Sequence, residues 1–242
     1  MTAIDDARKD LADAADPLRA AGVARYLQVV PGGYGEGDEL LGVPVPLQRT
    51  IAGRYWRVTS PADAGTLLRS PVHEERLTAV FILVRQFRSG DEDVQREVVD
   101  LVLANTDRLD NWDLVDSCAP YVLGPWLAGG DRAVLDQLSA SELVWDRRIA
   151  VMSTFAFIRD GEFEPTLDLA RRLLRDPHDL IHKAVGWMLR EIGNRDRGTE
   201  ERFLDEHAPD MPRAMLRYAI EKFPAERRRH YLGLRRRGTA RE

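Results

Sequence analysis

Residues 147–150 read Arg147-Arg148-Ile149-Ala150, a cation, two further residues and a small residue, and the pattern recurs at Arg76-Leu77-Thr78-Ala79 and Lys183-Ala184-Val185-Gly186. Clusters of turn-forming residues separate the helical stretches by roughly 30 to 40 residues, the length of a two-helix repeat. The small residue would let neighbouring helices approach closely. The cation would reach the surface on one face of the stack, because equivalent positions of stacked repeats share one surface. The sequence therefore predicts an all-α fold of tandem two-helix repeats that form a solenoid, with residues 1–242 as a single domain.

The N-terminal part interrupts this regular pattern. Apolar residues at helical spacing from Asp6 to Leu27 predict two short helices, separated near Asp16-Pro17. Residues 31–38 are rich in glycine and lack the Gly-Lys-Ser/Thr ending of a phosphate-binding loop, so we interpret them as a turn-rich connection. An extended stretch follows, and a helix is predicted to begin near Pro46, because proline is tolerated in a first helical turn.

Composition limits the classes of protein to which the chain can belong. No apolar run approaches the ~20 residues needed to span a membrane, so no membrane partner is expected. Cys118 is the only cysteine, which favours a reducing, cytoplasmic location. The net charge of −5, taken alone, argues against a protein that binds nucleic acid, but phosphate contact needs only a local basic face. The arginine runs at 227–229 and 235–237 belong to an Arg-rich end, residues 225–242, which is either frayed or in contact with phosphates.

Two clusters of residues are candidates for a functional site. Trp112 and Asp116 are four residues apart and share a helix face, and Lys183, Trp187 and Arg190 share another. In the repeat register Asp116 takes the position that other repeats give to a cation. A carboxylate near indole rings would stabilise a cationic ligand by direct charge attraction and by cation–π contact.

Other interpretations of these residues remain open. If Asp113 caps a helix, Asp116 falls at the third helical position, where an acid favours the helix N-terminus. Each tryptophan could also belong to the core. His178 and His182 have the spacing of metal ligands, but no third ligand is evident, so no metal or other cofactor is expected.

The motifs Asn-Trp-Asp-x-Val-Asp at 111–116, Trp-x-x-Arg at 145–148 and Lys-Ala-Val-Gly-Trp-Met-Leu-Arg-Glu at 183–191 resemble those of the bacterial AlkD-type DNA alkylation-repair glycosylases. The resemblance extends from about Tyr26 to Phe223. It implies HEAT-like repeats that form a curved solenoid with a concave DNA-binding face. It also implies a monomer that excises cationic bases such as N3-methyladenine or N7-methylguanine from double-stranded DNA.

The resemblance also assigns roles to individual residues. Asp116 matches the catalytic aspartate, and Trp112, Trp187 and Tyr26 match the aromatic residues beside the lesion's deoxyribose. Arg148 matches a phosphate-contacting arginine, although the repeat register by itself selects Arg147; Lys183 and Arg190 are further candidates for DNA contact. Members of the family are described as acting without flipping the base into a pocket.

Two other functions remain possible for such a fold. A non-catalytic HEAT-repeat protein would bind damaged, bent or branched DNA without releasing a base. A protein-binding scaffold would need no basic concave face. The presence of Asp116 favours catalysis.

Overall fold

The computed structural model describes residues 2–234 of the chain, and within them it contains fifteen α-helices and no β-strand. The all-α prediction is therefore confirmed. The chain forms two compact units, Met1–Trp126 and Leu127–Glu242. No helix within residues 2–234 is both long enough and apolar enough to span a bilayer.

Within the described residues, the first unit contains seven complete α-helices and most of an eighth. They are α1 (Ala3–Asp13), α2 (Pro17–Ala24), α3 (Val45–Tyr55), α4 (Pro61–Leu68), α5 (His73–Ser89), α6 (Glu92–Leu103) and α7 (Trp112–Cys118), and α8 (Leu123–Ala128) ends just beyond the division. The two short N-terminal helices, the turns at 31–38 and the helix near Pro46 are confirmed. Asp16 caps α2 by accepting from the backbone N–H groups of Leu18 and Arg19, which explains the break before Pro17.

The second unit contains the remaining helices. They are α9 (Ala133–Ser139), α10 (Val144–Arg159), α11 (Glu164–Arg172), α12 (Asp179–Gly193), α13 (Arg197–His207), α14 (Arg213–Ala219) and α15 (Ala225–Gly233). The arginines at 227–229 are thus helical, whereas the predicted run at 235–237 lies outside the described residues.

The small residue of the recurring motif allows close helix packing at Gly186. A Cβ atom at this position would lie 2.3 Å from the Met215 carbonyl oxygen and 2.7 Å from the Cβ of Tyr218. Since these distances are shorter than any van der Waals contact, α12 can approach α14 only with glycine here. Ala79 and Ala150, at the corresponding places of the motif in α5 and α10, are fully buried.

The three helices α5, α10 and α12 begin with the same set of hydrogen bonds. In each, the residue two positions before the N-cap accepts two hydrogen bonds. Its side-chain oxygen accepts from the backbone N–H of the N-cap. Its carbonyl oxygen accepts from a side chain six residues further along the chain. In the bond to the carbonyl oxygen, the donors and acceptors are Arg76 and Ser70 in α5, Arg147 and Ser141 in α10, and His182 and Asp176 in α12. Arg76 and Arg147 are therefore equivalent, as predicted, but His182 rather than Lys183 takes the third place.

The positions of the N-caps shift the predicted repeat register of Asp116 by one residue. The N-caps of α7, α10 and α12 are Asn111, Leu143 and His178, and Asp116, Arg148 and Lys183 each lie five residues after their N-cap. Asp116 thus shares its position with Arg148 and Lys183, not with Arg76 and Arg147. The same register now selects Arg148, the residue that the family motif also selects.

Candidate active site

A cavity of about 440 Å³ in the first unit brings together three of the predicted site residues, Tyr26, Trp112 and Asp116. Helices α2, α3, α5 and α7 line it, together with the segment that follows α2. Apolar side chains such as Leu77 and Val43 supply most of the surface of the wall, and the charged residues Arg19, His73 and Asp113 also line it. An apolar wall excludes water, and a carboxylate exerts a stronger electrostatic effect where water is excluded.

The two aromatic rings of this cavity contact each other. Tyr26 and Trp112 have ring centroids 5.2 Å apart with planes at 83°, an edge-to-face pair that contributes about 0.5–1.5 kcal/mol beyond area burial. Tyr26 is 68% exposed, so its ring remains accessible to a ligand from solution. The structure therefore places an accessible aromatic pair beside Asp116.

Asn111 positions the start of α7 against the segment that carries Tyr26. Its side-chain oxygen accepts from the backbone N–H of Trp112 at 2.9 Å, and its amide nitrogen donates to the carbonyl oxygen of Leu27 at 2.9 Å. Asn111 is fully buried, so these bonds are shielded from water. The resemblance includes Asn111 in its first motif, but only the structure shows what the residue does.

Asp116 lies in the second turn of α7 and does not cap the helix. The N-cap is Asn111, which makes Asp113 the second helical residue and Asp116 the fifth. The alternative in which Asp113 caps the helix and Asp116 occupies the third position is therefore wrong. Trp112 and Asp116 share a helix face, as their spacing predicts, and both line the cavity.

A network of charges around the buried cations Arg76 and His73 was not predicted, and its members His73 and Asp113 line the cavity. Arg76 is fully buried and donates to both carboxylate oxygens of Asp38 at 2.7 Å and to Asp110 at 2.9 Å. His73 bridges two carboxylates, with Nδ1 3.1 Å from Asp38 and Nε2 2.9 Å from Asp113. The prediction that the cation of the recurring motif reaches the surface is wrong for Arg76, because it pairs with acids from two other segments.

The network shifts the pKa values of its members. Burial lowers the pKa of His73, but hydrogen bonds to Asp113 and Asp38 outweigh burial and raise it to about 9. Burial would raise the pKa of Asp38, but hydrogen bonds from His73 and Arg76 hold it below its ordinary value. For Asp110, burial raises the pKa, and the charge of Arg76 offsets this only in part. His73 is therefore an imidazolium at neutral pH, with both ring nitrogens donating.

This arrangement predicts that the protein loses stability as the pH rises past neutrality. The pKa of His73 is about 9 in the folded chain against 6.5 for an ordinary histidine, so its contribution is fully present below pH 6.5 and disappears as the pH rises through about 9. We expect urea unfolding to show a decline of roughly 1–3 kcal/mol over this window. The variant His73→Asn, with no titrating ring, should be less stable near pH 6.5 and show a flatter profile. An equally steep decline in the variant would contradict this role.

Glu74 holds the extended segment that follows the glycine-rich connection. It is buried and accepts from the backbone N–H groups of Leu41 at 3.0 Å and Gly42 at 2.7 Å. Gly42 has a φ of +80°, and a Cβ there would lie 2.2 Å from the carbonyl oxygen of Asp16. Only glycine satisfies both conditions. This segment leads into α3, whose Gln48 also lines the cavity.

The other predicted site residues belong to the second unit. Arg148 is 5% exposed and donates to the carbonyl oxygen of Leu180 at 2.7 Å. Lys183 pairs with Asp179 at 2.6 Å, and Arg190 contacts Glu221. Trp187 is half-buried, and its indole N–H donates to Glu191 at 3.2 Å. The predicted shared face of Lys183, Trp187 and Arg190 lies on α12.

A family model and a solved structure each match most of the chain. The family model described as DNA alkylation repair enzyme matches residues 7–223. Among solved structures, one described as a predicted DNA alkylation repair enzyme from Enterococcus faecalis has a TM-score of 0.69, with 87% of this chain and 97% of that chain covered. The two sequences are 14% identical, so this likeness concerns the fold. No curated protein matches the sequence.

Proposed function

The chain belongs to the DNA alkylation repair enzyme family, and from that membership we propose that it is a DNA glycosylase that excises cationic alkylated purines, such as N3-methyladenine and N7-methylguanine. The observation that carries the proposal is the cavity in which Asp116 lies beside the Tyr26–Trp112 pair. A carboxylate and two aromatic faces suit a reacting centre that gains positive charge.

The proposed chemistry needs no general acid. An alkylated purine is already cationic, so when its glycosidic bond breaks the electron pair neutralises the departing base. Positive charge then develops on the deoxyribose, as in other glycosyl transfers. The carboxylate of Asp116 stabilises that charge and orients a water molecule, whose oxygen bonds to the anomeric carbon and whose proton passes to the carboxylate or to solvent.

The fold and the remaining residues support binding of the DNA backbone. We propose that the helices form HEAT-like two-helix repeats in a curved solenoid with a concave DNA-binding face, supported by the shared hydrogen bonds at the starts of α5, α10 and α12. Arg148, Lys183 and Arg190 would contact phosphates, with Trp187 packing near the lesion. In the structure carboxylates pair with Lys183 and Arg190, and Arg148 is buried and donates to the carbonyl oxygen of Leu180, so phosphate contact requires these side chains to change partners. The proposed working form is a cytoplasmic monomer.

The test is release of free base from methylated duplex DNA. We expect the folded protein to release N7-methylguanine and N3-methyladenine, detected by chromatography, and to leave unmodified purines in place. Strong binding to bent or branched DNA without any release would instead indicate the non-catalytic function. A folded protein that releases neither base would refute the proposal for these lesions.

A further inference from the structure

We propose that a groove lined by Arg49, Arg85, Arg88 and Tyr121 binds the phosphodiester backbone of duplex DNA beside the Asp116 cavity. This groove, called here the arginine groove, has a volume of about 330 Å³ and lies in the first unit. The inference rests on the proposed function, since it takes DNA as the ligand. It adds a contact surface that none of the sequence motifs includes.

The arginine groove presents cations that no carboxylate neutralises. Arg49, Arg85 and Arg88 are all exposed, and no acidic residue lines the groove. Within residues 2–234, none of the three arginines forms an ion pair, whereas many other arginines of the chain do. In a protein of net charge −5, three such cations around one groove form a local site for an anion.

Aromatic rings hold two of these arginines without occupying their donors. The guanidinium carbon of Arg49 lies 4.7 Å from the centroid of Phe81, and that of Arg88 lies 5.0 Å from the centroid of Tyr121. A cation–π contact uses the face of the guanidinium and leaves its N–H groups available. These N–H groups can therefore bind two phosphate oxygens at once, with less loss of side-chain freedom than an arginine that has no ring partner.

The position of the arginine groove follows from the helices that it shares with the cavity. On α5, Leu77 lines the cavity, whereas Arg85 and Arg88 line the groove on the same helix face. On α3, Gln48 faces the cavity and Arg49 the groove, and on α7 Ser117 lines both. The groove thus adjoins the cavity at Ser117.

The spacing fits a contact a few base pairs from the lesion. Arg85 and Arg88 follow Leu77 by eight and eleven residues, which at the rise of an α-helix is about 12 and 16 Å. Base pairs rise by about 3.4 Å, so a duplex that runs parallel to α5 would bring phosphates roughly three to five base pairs from the reacting nucleotide to the two arginines. The hydroxyl groups of Ser117 and Tyr121 are additional donors for phosphate oxygens. Such contacts would fix the position of the duplex without reading its sequence.

The test measures how salt affects binding to unmodified duplex DNA. We expect Arg85→Gln with Arg88→Gln to weaken binding at low salt and to make the slope of log K against log salt shallower by about 2, one for each lost phosphate contact. The paired variant Arg85→Lys with Arg88→Lys should retain most of the slope, since both charges remain. The matched control is Arg96→Gln, because Arg96 also lies over a ring, that of Trp126, but is paired with Glu92. Its slope should equal that of the wild type.

The outcomes separate this inference from the proposed function. A wild-type slope in the double Gln variant, or an equal loss in the Lys variant, would overturn the arginine groove as a phosphate site even if methylated DNA loses its damaged bases. Wild-type protein that fails to bind duplex DNA would overturn it as well. An arginine-dependent slope in a protein that releases no base would support the groove and refute the glycosylase.

Discussion

Asp116→Asn is expected to slow the release of N7-methylguanine from methylated duplex DNA by about 100- to 1,000-fold, the usual loss when one preorganised electrostatic group is removed from a transition state. The amide is nearly the same size as the carboxylate, but it carries no negative charge to stabilise the deoxyribose cation and accepts no proton from water. Single-turnover kinetics with protein in excess would measure this loss directly.

Binding distinguishes a catalytic role from a structural one. Since DNA is a polyanion, removing one carboxylate beside it should leave binding of unmodified DNA unchanged or slightly tighter. The matched control is Asp100→Asn, a change of the same chemistry at an exposed aspartate of α6, and it should leave both rate and binding unchanged. Wild-type rates in the Asp116 variant, or a rate loss matched by weaker binding, would count against the assignment.

Arg76→Met should be among the most destabilising single changes in this chain. The arginine is fully buried and pairs with Asp38 and Asp110. Methionine fills a similar volume but leaves two partly buried carboxylates without this cation, and breaking a buried pair from one side costs about 3–5 kcal/mol. Urea unfolding followed by circular dichroism would measure the loss as a lower free energy of unfolding.

A second substitution tests whether the loss arises from charge. In the Arg76→Met background, Asp110→Asn removes one of the stranded carboxylates, so stability should recover in part, while Asp38 keeps His73 as a partner. The exposed pair between Arg96 and Glu92 gives the contrast: Arg96→Met should cost no more than about 0.5 kcal/mol. A small loss for Arg76→Met, or none recovered by Asp110→Asn, would show that the network contributes little.

The recurring motif predicted some of the equivalent residues of the repeats correctly and others wrongly. It identified Arg76 and Arg147 as equivalent residues, and both donate to carbonyl oxygens five and six residues earlier. It placed Lys183 in the same register, although His182 makes the corresponding bond. Both residues are cationic or polar and adjacent, so residue type alone could not choose between them. Only the hydrogen-bonding partner at Asp176 decides.

The charge network around Arg76 and His73 could not be predicted from the sequence. His73 resembles an ordinary residue at a helix start, and Asp38 the polar end of a glycine-rich turn. Their contact joins residues 35 positions apart, and Asp113 is a further 40 positions along the chain. The one available signal was that Asp113 belongs to the motif at 111–116, which also contains Asp116, and that Asp110 directly precedes this motif. The arginine groove was missed for the same reason, since its residues come from α3, α5, α7 and the turn that follows α7.

The sequence by itself determined the all-α class, the two short N-terminal helices and the shared face of Trp112 and Asp116, because helical hydrogen bonds and faces depend on residues only three or four positions apart. The tertiary structure alone decided that Tyr26 meets Trp112, that Arg76 is buried and that His73 carries a charge. These properties depend on which distant carboxylates, rings and carbonyl groups surround each side chain, and on how much water remains there. The spacing of residues along the chain reveals neither the surrounding groups nor the amount of water.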